Sequence, residues 1–102
     1  MNYDWELTAE PINFARILAD ETRQEIMRLC CSRWLSVREI ADSLRVTQPT
    51  VSHHLAVLRQ AHLVLVRRQG RQTFYQLNQE RVALGCEKLM ALFAPDFSSN
   101  EE

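Results

Sequence analysis

Apolar residues recur at helical spacing along most of this chain and give way to β-branched and aromatic runs only between residues 64 and 77. Ile12, Phe14, Ala15, Ile17 and Leu18 make the apolar face of a first helix over about 9–19, after a polar, frayed lead at 2–10. Pro11 fits near its start, where a missing N–H costs nothing. Asp20 caps a second helix whose apolar stripe is Ile26, Leu29 and Cys30, with Met27 beside it, ending around Ser32–Leu35. Ser36-Val-Arg-Glu39 is a capping box that opens a short third helix, with Val37, Ile40, Ala41 and Leu44 facing the core. Arg45-Val46 makes a turn, and Thr47 caps a fourth helix in which Pro49 is tolerated at the first turn. Its inward seam is Val51, Leu55 and Leu58, spaced i, i+4, i+7. Val64–Arg68 and Thr73–Leu77 read as a hairpin with Gly70 at its tip. A last helix runs from Asn78 to about Phe93, and Pro95 ends it.

That last helix is apolar over more than one face. Val82, Cys86, Leu89 and Phe93 form a stripe, and Leu84, Met90 and Leu92 widen it. Such a helix is buried on more than one side. Gly85, which costs about 1 kcal/mol in a helix interior, points to close helix approach. With Trp5, Leu7, Phe14 and Ile17, these residues predict a two-fold interface, hence a homodimer through the N- and C-terminal helices; the other reading is one thick monomer core.

At 102 residues the chain has room for one domain, with its core at about 10–93 and a flexible tail at 96–102. Its longest apolar runs fall far short of the roughly twenty residues of a membrane span. The acidic MNYDWELTAE lacks the basic and apolar regions of a secretory signal, so no membrane is expected and the cytoplasm is.

Charge changes the picture more. Residues 1–42 hold eight acids against five arginines, a balance of −3; residues 80–102 hold five acids against Arg81 and Lys88, again −3. Between them, Ser43 to Gln79 contains no Asp or Glu, five arginines and all three histidines. The net charge of −1 therefore conceals a basic centre, and the local field decides where a polyanion docks.

In order, the elements are helix, capped helix, turn, helix, hairpin: a mainly α fold of about five helices with a two-stranded wing, the winged helix-turn-helix. Opposite the Val51–Leu58 seam lie Gln48, Thr50, Ser52 and His53, short and polar enough to enter a major groove. Gln pairs bidentately with adenine, and the helix N-terminus favours phosphate. Arg67, Arg68, Arg71 and Gln72 sit where a wing meets phosphate or minor groove. His54, about 100° round the helix from His53, packs behind the polar face and shares no metal site with it.

LADETRQEIMRLC, LSVREIADSLRVTQPTVSHHLAVLRQAHLV and RRQGRQTFYQL resemble the ArsR/SmtB family of winged-helix repressors over roughly residues 10–93. The most specific piece is Thr47-Gln-Pro-Thr-Val-Ser-His-His-Leu, similar to the family's recognition helix. The resemblance implies a dimer on double-stranded, palindromic operator DNA, released by an inducer that is often a metal or a thiol-reactive species. It implies DNA contacts from Thr47, Gln48, Pro49, Thr50, Ser52 and His53.

The family's metal positions are substituted here. Arsenic sensors carry Cys-Val-Cys where this chain has Ser36-Val37-Arg38. Zinc-sensor ligands fall at Gln79, Arg81, Leu92 and Pro95, and a cysteine pair of the recognition helix at Val57 and Ala61. The thiols of persulfide sensors fall at Arg28 and Ala94. What remains is Cys30, Cys31 and Cys86, an odd set that suits arsenite or another soft metal ion, or thiol oxidation. Cys30 and Cys86 on apolar stripes fit equally as small buried hydrophobes, leaving Cys31 as the reactive candidate.

Neither a Gly-rich phosphate loop, a nucleophile elbow, a paired-carboxylate motif nor a zinc-hydrolase signature occurs, so no enzyme is expected. Two readings stand: a DNA-binding repressor, or a winged-helix module with a protein partner.

Overall fold

The computed structural model describes the backbone of residues 5–97 and the side chains of residues 10–97. Five helices and one small sheet follow the order α1 (Trp5–Leu18), α2 (Glu21–Leu29), β1 (Leu35–Ser36), α3 (Val37–Leu44), α4 (Gln48–Gln60), β2 (Val64–Gln69), β3 (Gln72–Leu77) and α5 (Gln79–Phe93). A 3-10 turn, Pro95–Phe97, follows. The side chains of the expected interface residues Trp5 and Leu7, and the tail at 98–102, lie outside what is described.

The caps read from sequence close the helices they were assigned to. Asp20 accepts from the Arg23 N–H, Thr47 from the Thr50 N–H, and Ser36 and Glu39 complete a reciprocal capping box. Arg45 takes a left-handed conformation, φ 60°, so that Val46 N–H reaches the Ala41 carbonyl and the chain turns sharply from α3 into α4. His62 does the same after α4, at φ 63°. Its N–H bonds to the Arg59 carbonyl and the Leu63 N–H to the Leu58 carbonyl, a Schellman ending without glycine.

Four boundaries differ from the sequence reading. Helix α1 begins at Trp5, which puts Pro11 inside the helix rather than near its start. Helix α2 stops at Leu29, several residues early, because the Cys30 carbonyl accepts from the Leu77 N–H at 2.9 Å and is drawn toward the sheet. The β2–β3 hairpin forms the expected two-stranded wing, and a short third strand joins it: β1 pairs antiparallel with β3, Leu35 opposite Tyr75 and Ser36 opposite Phe74, giving the order β1-β3-β2. Finally, β2 and β3 each run one residue further, to the Gln69–Gln72 pair, leaving only Gly70 and Arg71 as the loop. Of these two only Gly70 has positive φ, the pattern of a II′ hairpin.

The core gathers Phe14 and Ile17 of α1, Ile26 and Met27 of α2, Ile40 of α3, the α4 seam of Val51, Leu55 and Leu58, and Leu35, Leu63, Val64 and Leu77 around the sheet. Buried apolar surface of this kind, at roughly 25 cal/mol per Å², is the main force fixing α4 against α2 and α3. Helix α5 differs, with no fully buried residue and with Leu84, Met90, Leu92 and Phe93 exposed. An ideal Cβ at Gly85 would come within 2.6 Å of the Phe14 ring, so this glycine lets α1 and α5 approach.

Candidate nucleic-acid interface

Because the seam of α4 is turned inward, its other residues are fixed outward. Gln48, Pro49, Thr50, Ser52 and His53 are all exposed, with Thr47 just ahead of them. Thr47 and Thr50 are occupied with each other: Thr47 Oγ1 accepts from the Thr50 N–H at 3.2 Å and lies 2.9 Å from the Thr50 hydroxyl. Gln48, Ser52 and His53 are the long or free groups left on that face. No acid lies in the first turn, so the helix N-terminus presents its partial positive charge unopposed.

His54 faces the other way and ties α4 to α2. Arg23 donates through Nη1 to His54 Nδ1 at 3.0 Å and through Nε to the Ile17 carbonyl at 3.1 Å. A guanidinium only donates, so Nδ1 must accept, and the ring is neutral with its proton on Nε2. Burial, with help from Arg23 and His53, holds the His54 pKa below its ordinary 6.5, against the pull of Asp20. The folded state thus binds fewer protons at this site than the unfolded state. Its contribution is complete above pH 6.5 and lost as pH falls from there through the lowered folded value. Asp20, lowered by the Arg23 N–H bond, and Glu10, lowered by its hydrogen bond to Lys88, lose theirs only below their ordinary 3.8 and 4.5. Thermal midpoints between pH 7.5 and 5 should therefore fall more steeply for the native chain than for His54→Gln; parallel curves would refute the assignment.

The wing is basic at its end, with Arg68, Gly70, Arg71 and Gln72 exposed. Arg67 is engaged differently. Its guanidinium carbon lies 4.4 Å from the centre of the Trp34 ring, in the loop before β1. Stacking of this type contributes about 0.5–1 kcal/mol at exposed sites and fixes the plane of the guanidinium. Sequence reasoning missed both Trp34 and Arg23. Their partners are 33 and 31 residues away, and no local spacing signals the pairs.

The three cysteines are not brought together. Cys30 is fully buried, Cys31 half-buried and Cys86 exposed. Burial pushes the Cys30 thiol up to about 11, so it stays protonated. Cys31 receives the Gln79 amide at its carbonyl, 2.9 Å, and at Sγ, 3.5 Å. The expectation that Cys86 lies on a buried stripe fails within one chain: α5 packs Val82 and Leu89 of that stripe against the core and leaves Cys86 and Phe93 exposed. Among the described residues no group of three His, Cys, Asp or Glu side chains is placed to hold a metal ion.

A helix-turn-helix with an outward polar face on its second helix, backed by a basic hairpin, defines the winged helix-turn-helix class of regulators. Comparison with known proteins narrows this. Residues 20–66 match the model of the bacterial regulatory protein arsR family. The regulator KmtR of Mycobacterium tuberculosis is 45% identical over 67 residues, which are 66% of this chain and 52% of KmtR. This chain therefore spans about half of that relative's length. The arsenical resistance operon repressor of Bacillus subtilis is 36% identical over 80 residues, 76% of each chain. An ArsR-like transcriptional regulator from Rhodococcus superposes with a TM-score of 0.77 at 26% identity, covering 86% of this chain and 83% of that one. The chain belongs to the ArsR family, whose members here are transcriptional regulators and not enzymes. Among the described residues no helix is long and apolar enough to cross a membrane.

Proposed function

We propose that this chain is a dimeric, sequence-specific repressor acting in the cytoplasm on double-stranded operator DNA and released by an inducer. The observation that carries the reading is the face of α4, with Gln48, Ser52 and His53 outward at the N-terminal end of a helix in an acid-free stretch. In this role Gln48, Ser52 and His53 meet base edges, Thr47, Pro49 and Thr50 shape the helix entry, and Arg68, Arg71 and Gln72 meet phosphate or minor groove. Arg67 is held by Trp34 at the side of the wing.

The dimer reading rests on α5. Leu92 and Phe93 are 53% and 80% exposed, an apolar surface that a second copy would cover. The Bacillus relative is an arsenical resistance repressor, and arsenite or another soft ion would here have to use Cys31 or Cys86 with donors from a second chain.

Binding to the chain's own promoter against a random duplex, with sedimentation of the free protein, tests the proposal. We expect a mass of twice 11.9 kDa at micromolar concentration and a promoter preference of about a thousandfold or more. Equal affinity for both duplexes would favour the protein-interaction reading instead, and a mass of 11.9 kDa would end the dimer.

A further inference from the structure

A cleft of about 210 Å³ opens where α1, α5 and the end of α4 meet. Its floor is apolar, formed by Phe14, Leu63 and Leu84 beside Gly85. Its rim is charged. Glu10 Oε2 meets Arg81 Nη2 at 3.1 Å and Glu10 Oε1 meets Lys88 Nζ at 2.6 Å, all three side chains about one-third exposed. One carboxylate thus serves two cations and leaves an excess positive charge over an apolar floor. An exposed ion pair is weak, so Glu10 can be displaced by a better-placed anion. The space is smaller than the roughly 300–1,000 Å³ usual for drug-sized ligands, which suits a single ring or a short branched chain.

The opposite wall is the end of the reading helix: Gln60, Ala61 and the left-handed His62. Asn78, the cap of α5, holds this turn by donating Nδ2 to the His62 carbonyl and its N–H to the Leu63 carbonyl, at 3.1 and 2.9 Å. Whatever fills the cleft therefore touches α1 and α5 on one side and the last turn of α4 on the other.

We propose that this cleft is an effector site for a small organic carboxylate with an apolar body, its carboxylate replacing Glu10 on Arg81 and Lys88 and its body resting on Phe14 and Leu84. Arg81 supplies a planar fork matched to a carboxylate, and Lys88 adds a second charge. The ligand binds without cysteine or metal. Its effect on operator affinity rests on the repressor reading above, whereas the binding itself does not.

Benzoate is the probe, titrated into the DNA-free protein at low ionic strength and followed by amide chemical shifts. Benzamide keeps its shape without the charge, and acetate keeps the charge without the ring. We expect saturable benzoate binding, with benzamide weaker by about tenfold or more, the share of a charge-assisted hydrogen bond, and acetate weaker by about tenfold or more through the lost burial of the ring. Glu10→Gln should tighten benzoate about tenfold by removing the internal competitor. Arg81→Gln should abolish binding, with thermal midpoints confirming that both variants are folded. Equal binding of benzamide, or weaker or unchanged binding to E10Q, overturns the site. Benzoate that binds but leaves promoter affinity unchanged overturns its role as an effector. A protein that binds benzoate but no DNA instead refutes the repressor reading and leaves the site standing.

Discussion

Alanine at Ser52, Gln48 or His53 should each weaken promoter binding by about 1–3 kcal/mol and leave random duplex nearly untouched, because groove contacts carry sequence and backbone contacts do not. All three side chains are exposed on one side of α4, and the groups most able to satisfy them internally, Thr47 and Thr50, are bonded to each other. The triple variant, if the contacts are independent, should retain little preference for the promoter. Arg71→Ala predicts the opposite pattern. It should weaken every duplex alike and flatten the salt slope by about one, since a tip arginine meets phosphate. Competition binding at two salt concentrations separates the two classes. Loss of random-duplex affinity in the α4 variants, equal to the promoter loss, would remove the reading face from the mechanism.

Trp34→Ala offers a related contrast. Arg67 stacks on that ring, so removing the indole frees a wing arginine rather than deleting it. A sequence reader sees three wing arginines as equivalent. The fold divides them, with Arg71 at the turn, Arg68 on an exposed strand and Arg67 held from the side.

What was legible in the sequence was local. Thr47, Pro49 and the Val51–Leu55–Leu58 seam specify α4 by cap, first-turn proline and spacing, and each acts within a few residues. Ser36 and Glu39 specify the start of α3 in the same way. What was hidden depends on partners far along the chain. The end of α2 is set by Leu77, 47 residues beyond Cys30, and β1 is two residues that become a strand only because Phe74 and Tyr75 lie beside them. Ser36, read as a cap, is at once a strand residue and a cap. The apolar width of α5 was visible, but which side faces its own core was not. That depends on Gly85 meeting Phe14, which leaves Cys86 and Phe93 outward.

The largest effect on stability is expected at Leu55→Ala. Leu55 is 1% exposed, midway along the seam between Val51 and Leu58, and packs into the cluster that includes Ile26 of α2 and Ile40 of α3. Truncation removes transfer free energy and leaves a cavity that three helices in contact can only partly close, costing about 2–5 kcal/mol. For a domain of this size about 1 kcal/mol moves the thermal midpoint by about 4–8 °C, so a drop of ten degrees or more should be seen. The reading face is built on the same helix but points away from that cavity. At a temperature where the variant is still folded, its ratio of promoter to random-duplex affinity should match the native ratio, while its denaturant midpoint is much lower. Val51→Ala deletes fewer atoms and should lose less stability with the same unchanged ratio. A Leu55→Ala chain that keeps its stability but loses promoter discrimination would mean that the seam tunes the reading face directly, and that the two sides of α4 are not independent.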